Sequence, residues 1–214
     1  MISVGERLNT GVKEIKQAVM EKDPAPLQEW AKEQTEAGAT YLDGNLGAVS
    51  SKAADMCWMI ETVQDAVDMP ISIDSNKPDI IAEAIKVCNG PVLINSTTAV
   101  EEKMDQIFPL VAEYKASVIC LVMDETGTPT NADKRVENAG KIMAKAMEMD
   151  IDPEHIFLDP IAMPLKFTQE QQKEILEAAR QFQLFSDPPP HVICGLSNVS
   201  NGTSHKNLIN RTFF

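Results

Sequence analysis

The chain has 214 residues, 43% of them hydrophobic, and a formal net charge of −13. That length supports a substantial buried core in a single domain spanning residues 1–214, and the acidic balance argues against nucleic acid, whose binders need a basic face to displace counterions. The amino terminus, MISVGERLN, has no signal-peptide pattern, and no stretch reaches the roughly 18 apolar residues of a membrane span, so a cytoplasmic location without membrane attachment is expected.

Short apolar runs alternate with segments of helical period along the sequence. Ile2-Ser3-Val4-Gly5 is the first candidate strand, and Asp23-Pro24 then reads as a helix start that Gly38 closes. Ala39 to Asp43, Ile71 to Asp74, Val92 to Asn95, Val118 to Val122, Ile156 to Asp159 and His191 to Cys194 supply the later strands. Ala132, Val136, Ala139, Met143 and Ala146 recur at helical spacing and predict one buried stripe. Ile175, Leu176, Ala179 and Phe182 predict another.

Short apolar strands alternating with helices imply an α/β fold with a parallel sheet. A Rossmann sheet calls for a G-x-G-x-x-G turn after a strand, and none is present. A TIM (β/α)8 barrel needs about eight units and typically about 250 residues. The seven strands counted here therefore predict a TIM-type barrel lacking its last β/α unit.

The strands end alike: Asp43, Asp74, Asn95, Asp124 and Asp159 each stand at or just beyond a carboxyl end. In a barrel those ends form the catalytic face, although any single Asp there is equally a helix N-cap. The four cysteines are far apart, and the histidines do not join the carboxylates at metal spacing, so no bound metal is expected. Acceptors without metal suit a flat heterocycle rich in N–H donors, because a carboxylate takes two parallel hydrogen bonds from an amidine-like edge. A reduced pterin offers such an edge, and purines and sugars also carry donors. Glu6 and Arg7 read as a rim ion pair.

The ordered motifs GERLN (5–9), LDGNLG (42–47), IDSN (73–76), INSTT (94–98), LDP (158–160), GLSNVSNG (195–202) and LINRTF (208–213) resemble the pterin-binding methyltransferases. The nearest resemblance is to methyltetrahydrofolate:corrinoid/iron–sulfur protein methyltransferase and its relatives in corrinoid-dependent demethylation. The folate domain of cobalamin-dependent methionine synthase and dihydropteroate synthase resemble the chain more distantly.

That resemblance implies a TIM barrel, a homodimer, tetrahydrofolate as substrate or product, and a corrinoid (cobalamin) supplied by a partner corrinoid protein. It places Asp74, Asn95 and Asp159 at the pterin ring edge and Asn198 as the catalytic donor to the nitrogen that carries the methyl group. Gly195 and Ser197 shape the same loop, and Asn201 and Lys206 lie where the family contacts the rest of the ligand or the corrinoid. Close relatives often carry glutamine and arginine at those last two positions. Two other readings are a dihydropteroate synthase-like enzyme and a folate-binding protein without turnover. The former lacks a lysine followed by a Ser-x-Arg-like element.

Overall fold

The computed structural model describes residues 1–213. Its contacts divide the chain into two compact units, Met1–Ser96 with Glu113–Ser117, and Thr97–Ala112 with Val118–Phe214.

The first unit begins with β1 (Val4–Gly5), followed by α1 (Lys13–Glu21) and α2 (Ala25–Glu36). It continues with β2 (Tyr41–Asn45), α3 (Ala53–Gln64), β3 (Ile71–Asp74) and α4 (Pro78–Ala84), and it takes in most of β4 (Val92–Thr98). These strands pair in parallel and in chain order. The register sets Asn45 opposite Asp74 and Asp74 opposite Asn95, so three polar residues stand in a row across neighbouring strands. Earlier in the same strands Leu42, Ile73 and Ile94 are fully buried. They form a core with Leu27 and Ala31 of α2, Met59 and Ile60 of α3, and Ile81 of α4. Helix α2 starts one residue after Pro24, with Asp23 Oδ1 accepting from the Ala25 N–H at 3.1 Å. It ends before Gly38, whose φ of +89° turns the chain back toward β2.

The second unit carries α5 (Glu101–Tyr114) up to Ala112, β5 (Ser117–Leu121) from Val118 onward, and α6 (Ala132–Glu148). Then come β6 (Ile156–Asp159), α7 (Gln171–Phe182), β7 (His191–Val192), α8 (Leu196–Val199) and α9 (Lys206–Phe213). Strand β6 pairs in parallel with both β5 and β7. Ile156, Leu158, Phe108 of α5, Ile142 of α6 and Phe182 of α7 are completely buried. Seven strands alternating with helices among the described residues give the α/β, TIM-barrel-like pattern expected from the sequence.

Three local expectations shift. Strand β7 stops at Val192 although the Ile193 N–H still donates to Leu158 O at 3.0 Å. Val192, Ile193 and Cys194 are half-buried. On α7 the inward face is Gln172, Ile175, Ala178 and Phe182, and Leu176 is 41% exposed. On α6 the buried stripe holds Ala132, Ala139, Met143 and Ala146 as expected, whereas Val136 is only half-buried and Arg135 and Asn138 are buried in addition. Both polar side chains reach backbone carbonyls. Arg135 Nε donates to Pro160 O at 2.8 Å and its Nη1 to Asn131 O at 3.1 Å, and Asn138 Nδ2 donates to Val122 O at 3.2 Å. Among the described residues no helix is long and apolar enough to cross a membrane.

Candidate functional site

In the first unit the polar row at the strand ends is a hydrogen-bonded cluster. Asp43, 3% exposed, uses one oxygen, Oδ1, to accept from Ser72 Oγ at 2.5 Å and from Asn95 Nδ2 at 3.1 Å. Asn45 Oδ1 accepts from the Gly47 N–H at 2.6 Å, and its Nδ2 donates to Asp74 Oδ2. The segment after β1 runs alongside. The Asn45 N–H donates to Leu8 O at 3.0 Å, and the Arg7 N–H donates to Gln34 Oε1 at 2.9 Å. Gly5 is needed there, because a Cβ would sit 2.6 Å from the Gln34 Oε1 that Arg7 uses.

That placement brings Glu6 toward Asp74. The ion pair expected between Glu6 and Arg7 is not among the salt bridges of the described residues. The Arg7 guanidinium instead lies 4.3 Å from the centroid of the Trp30 ring, where the π-face attracts it.

The electrostatics follow from crowding acids in a dry place. Burial, then Asp74, and more weakly Glu6, push Asp43 up to about 7, against the pull of its bonds from Ser72 and Asn95. Asp74 is raised by burial and partly restored by Asn45. Glu6, although partly exposed, is raised by the protein around its carboxyl and then by Asp74. Asp43 therefore carries less than its full negative charge near neutral pH. Among the described residues no three His, Cys, Asp or Glu side chains are arranged as metal ligands. A cleft of about 630 Å³ opens beside this cluster, lined by Asn45, Leu46, Ser50, Asp74, Lys77 and Ile80 among others.

In the second unit Asp159 ends β6, half-buried, and its Oδ1 accepts from the Ile161 N–H at 2.7 Å. Burial pushes this carboxyl up to about 6. Gly195 caps the short helix α8, on which Ser197 and Asn198 are exposed. A Cβ at Gly195 would stand 2.9 Å from Asn198 Nδ2, so the glycine makes room for this amide. Its φ of −70° would suit any residue. The Asn201 N–H donates to Asn198 O at 3.1 Å, and Gly202 at φ +75° turns the chain out of the loop. Asn201 and Lys206 are exposed, the latter opening α9.

Of the residues singled out in the sequence, Asp74 and Asn95 meet in one cluster of the first unit, and Gly195 and Asn198 meet in the second. Ser197 shares the helix of Asn198 without a side-chain bond to it among the described residues. Asp124, noted with the other strand-end acids, is engaged elsewhere. It is clamped by the Thr126 hydroxyl at 2.6 Å and by Lys134 Nζ at 3.0 Å. Glu6, Asp43 and Asn45 join the first cluster without having been singled out as site residues. The signal was legible for Asp43, which the sequence placed at a strand end although β2 runs on to Asn45, and for Glu6 in the GERLN motif.

The chain matches the pterin binding enzyme family over residues 5–212. It is 33% identical over 219 aligned residues to the methylcorrinoid:tetrahydrofolate methyltransferase of Eubacterium limosum, spanning 100% of this chain and 79% of that protein. It is 28% identical to the methionine synthase of Mycobacterium tuberculosis, over 94% of this chain and 18% of that much longer protein. Among solved structures it resembles a dihydropteroate synthase from Coxiella burnetii in complex with pteroic acid. The TM-score is 0.61 at 15% identity, over 86% of this chain and 72% of the other, a likeness of fold. With nearly its whole length matched, the chain belongs to the family of pterin-binding enzymes.

Proposed function

We propose that this protein is a methyltransferase that moves a methyl group between 5-methyltetrahydrofolate and the cobalt of a corrinoid carried by a partner protein. The observation that carries the reading is the 33% identity along the entire chain to a methylcorrinoid:tetrahydrofolate methyltransferase. The acceptor-rich cluster at the strand ends of the first unit supports it, because a reduced pterin presents several N–H donors along one edge.

In this reading Asp74, Asn95 and Asp159 bind the pterin edge, and Gly195, Ser197, Asn201 and Lys206 serve the loop and the outer part of the ligand. The methyl carbon is attacked by cobalt(I) as its bond to the ring nitrogen breaks, and the electron pair of that bond returns to the nitrogen. A ring amine leaves poorly unless it gains a proton or a strong hydrogen bond as the bond breaks. Asn198 is the catalytic residue: its exposed amide donates to that nitrogen without changing its own charge, and so stabilises the transition state selectively. The reverse transfer uses the same groups by microscopic reversibility. The protein acts as a single-domain, cytoplasmic homodimer.

Calorimetric titration with 5-methyltetrahydrofolate, beside Asn198→Ala and Asp159→Ala, tests the reading, followed by methyl transfer to cob(I)alamin. Binding lost in Asp159→Ala and transfer lost in Asn198→Ala support it. A folded wild-type chain that does not bind the ligand refutes it.

A further inference from the structure

The hydrogen bonds of the first cluster fix which atoms are left over for a ligand. An ionised carboxylate only accepts, whereas a primary amide both donates and accepts. Asp43 Oδ1 is bonded by Asn95 Nδ2, so the Asn95 amide is held nitrogen-inward toward Asp43. Among the described residues nothing donates to Asn95 Oδ1. Asn45 is locked the other way: the Gly47 N–H occupies its Oδ1, so its Nδ2 is the atom that meets Asp74 Oδ2. Among the described residues nothing donates to Asp74 Oδ1, its Oδ2 being the atom Asn45 meets. The Asn45 orientation is thus dictated by a backbone N–H, which can only donate, and that of Asn95 by Asp43 Oδ1, which also accepts from Ser72 Oγ.

We propose that Asp43 and Asn45 are positioning residues that set the hydrogen-bonding sense of this wall, committing the Asn95 carbonyl and the second Asp74 oxygen as acceptors for a donor-rich ring edge. The inference rests on the pterin reading above and deepens it, because it concerns why an amino-bearing pterin is accepted and an oxo analogue refused. Asp43 is nearly sealed from solvent, so it acts through Asn95 and not by touching a ligand. Its surroundings fit that role. Ser72, paired opposite it on β3, supplies a second donor to the same oxygen and holds the carboxylate against rotation. The acidic groups in electrostatic reach are Asp74, which lines the cleft, and Glu6.

The test compares two probes, pterin and lumazine, the latter being the same bicycle with the 2-amino group replaced by a carbonyl oxygen. A wall of acceptors leaves the lumazine oxygen facing another acceptor, so the wild-type chain favours pterin by about a hundredfold or more in Kd. At pH 8, above the value near 7 of the Asp43 carboxyl, Asp43→Asn replaces an accepting carboxylate by an amide of the same shape, and Asn95 is free to meet it in either orientation. The expected result is a pterin-to-lumazine preference reduced to about tenfold or less, with the thermal midpoint at or above that of the wild type. Asn45→Ala probes the same wall from the half-buried end of β2. Loss of the donor to Asp74 leaves that carboxylate unanchored, and the preference falls there too. Loss of fold would not move a ratio measured on a folded variant. An unchanged preference in whichever variant folds overturns the positioning role and leaves the pterin reading intact. A folded wild-type chain that binds neither probe overturns both.

Discussion

Gly195→Ala isolates the amide of Asn198 from the rest of the protein. The backbone at Gly195, φ −70° and ψ 79°, lies in the inverse γ-turn region that an alanine adopts without strain. The new Cβ, however, would stand 2.9 Å from Asn198 Nδ2, and Cβ contacts ordinarily begin near 3.4 Å. Something must move by about 0.5 Å or more, and the movable partner is an exposed side-chain amide on a helix of four residues. The fold therefore loses little, and the thermal midpoint stays within about 2 °C of the wild type. The chemistry loses more. Deleting a single donor to developing charge costs about 100- to 1,000-fold in kcat, and misplacement of a positioned group by about 1 Å costs about 100-fold. A shift of half that size predicts a fall in kcat of about 10- to 100-fold with a smaller change in KM. The assay follows loss of cob(I)alamin absorbance on mixing with 5-methyltetrahydrofolate and the variant. A variant of normal stability and undiminished kcat would refute the claim that the position of the Asn198 amide governs catalysis.

Two buried acids should respond to pH in opposite senses. Asp43 is raised from the ordinary carboxylate range to about 7, so between about 4 and 7 the native state holds a proton that the unfolded chain has released. Its ionisation therefore costs stability that is absent below about pH 4 and fully expressed above about 7. Asp43→Asn should raise the thermal midpoint at pH 8 and leave it nearly unchanged at pH 4, read by circular dichroism. Asp124 is held well below the usual range by the Thr126 hydroxyl and by Lys134. It contributes stability present above about pH 4 and lost as pH falls further, so Asp124→Asn should lower the midpoint by several degrees at pH 7, with the deficit shrinking in acid. Equal deficits at pH 7 and pH 3 would count against that assignment.

Much of the scaffold was legible because burial on both faces writes parallel strands as unbroken apolar runs. Ile71–Asp74 and Ile156–Asp159 fall where the sequence placed them. Ends were harder. The Val92 strand continues to Thr98, past the polar residues that read as its terminus, because the ladder is made by backbone groups and tolerates Asn and Ser. The first connection holds two helices, and only the second, with its proline start, was singled out in the sequence. On α7 Ile175 and Phe182 face inward as expected, but Leu176 is exposed and Ala178 takes the buried place expected of Ala179. Gln172 is buried instead, its amide donating to Met163 O and to Thr168.

The carboxylates of the site were legible as a habit shared by several strands. Their division of labour was not. That Asp43 faces inward to Ser72 and Asn95 depends on cross-strand register, a long-range property that spacing along one strand does not encode.

Arg135 and Asn138 have a consequence for how this scaffold tolerates change. Both reach from the buried stripe of α6 to carbonyl oxygens in the segments that follow β5 and β6, at Val122 and Pro160. A carbonyl is supplied by every residue type, so the anchor grips the path of the chain and is indifferent to the side chains it carries. Those segments can accumulate substitutions, or receive transplanted loops of matching length, while keeping the same footing on the helix. Variation in ligand preference can thus be tried at the strand ends without renegotiating the core beneath them.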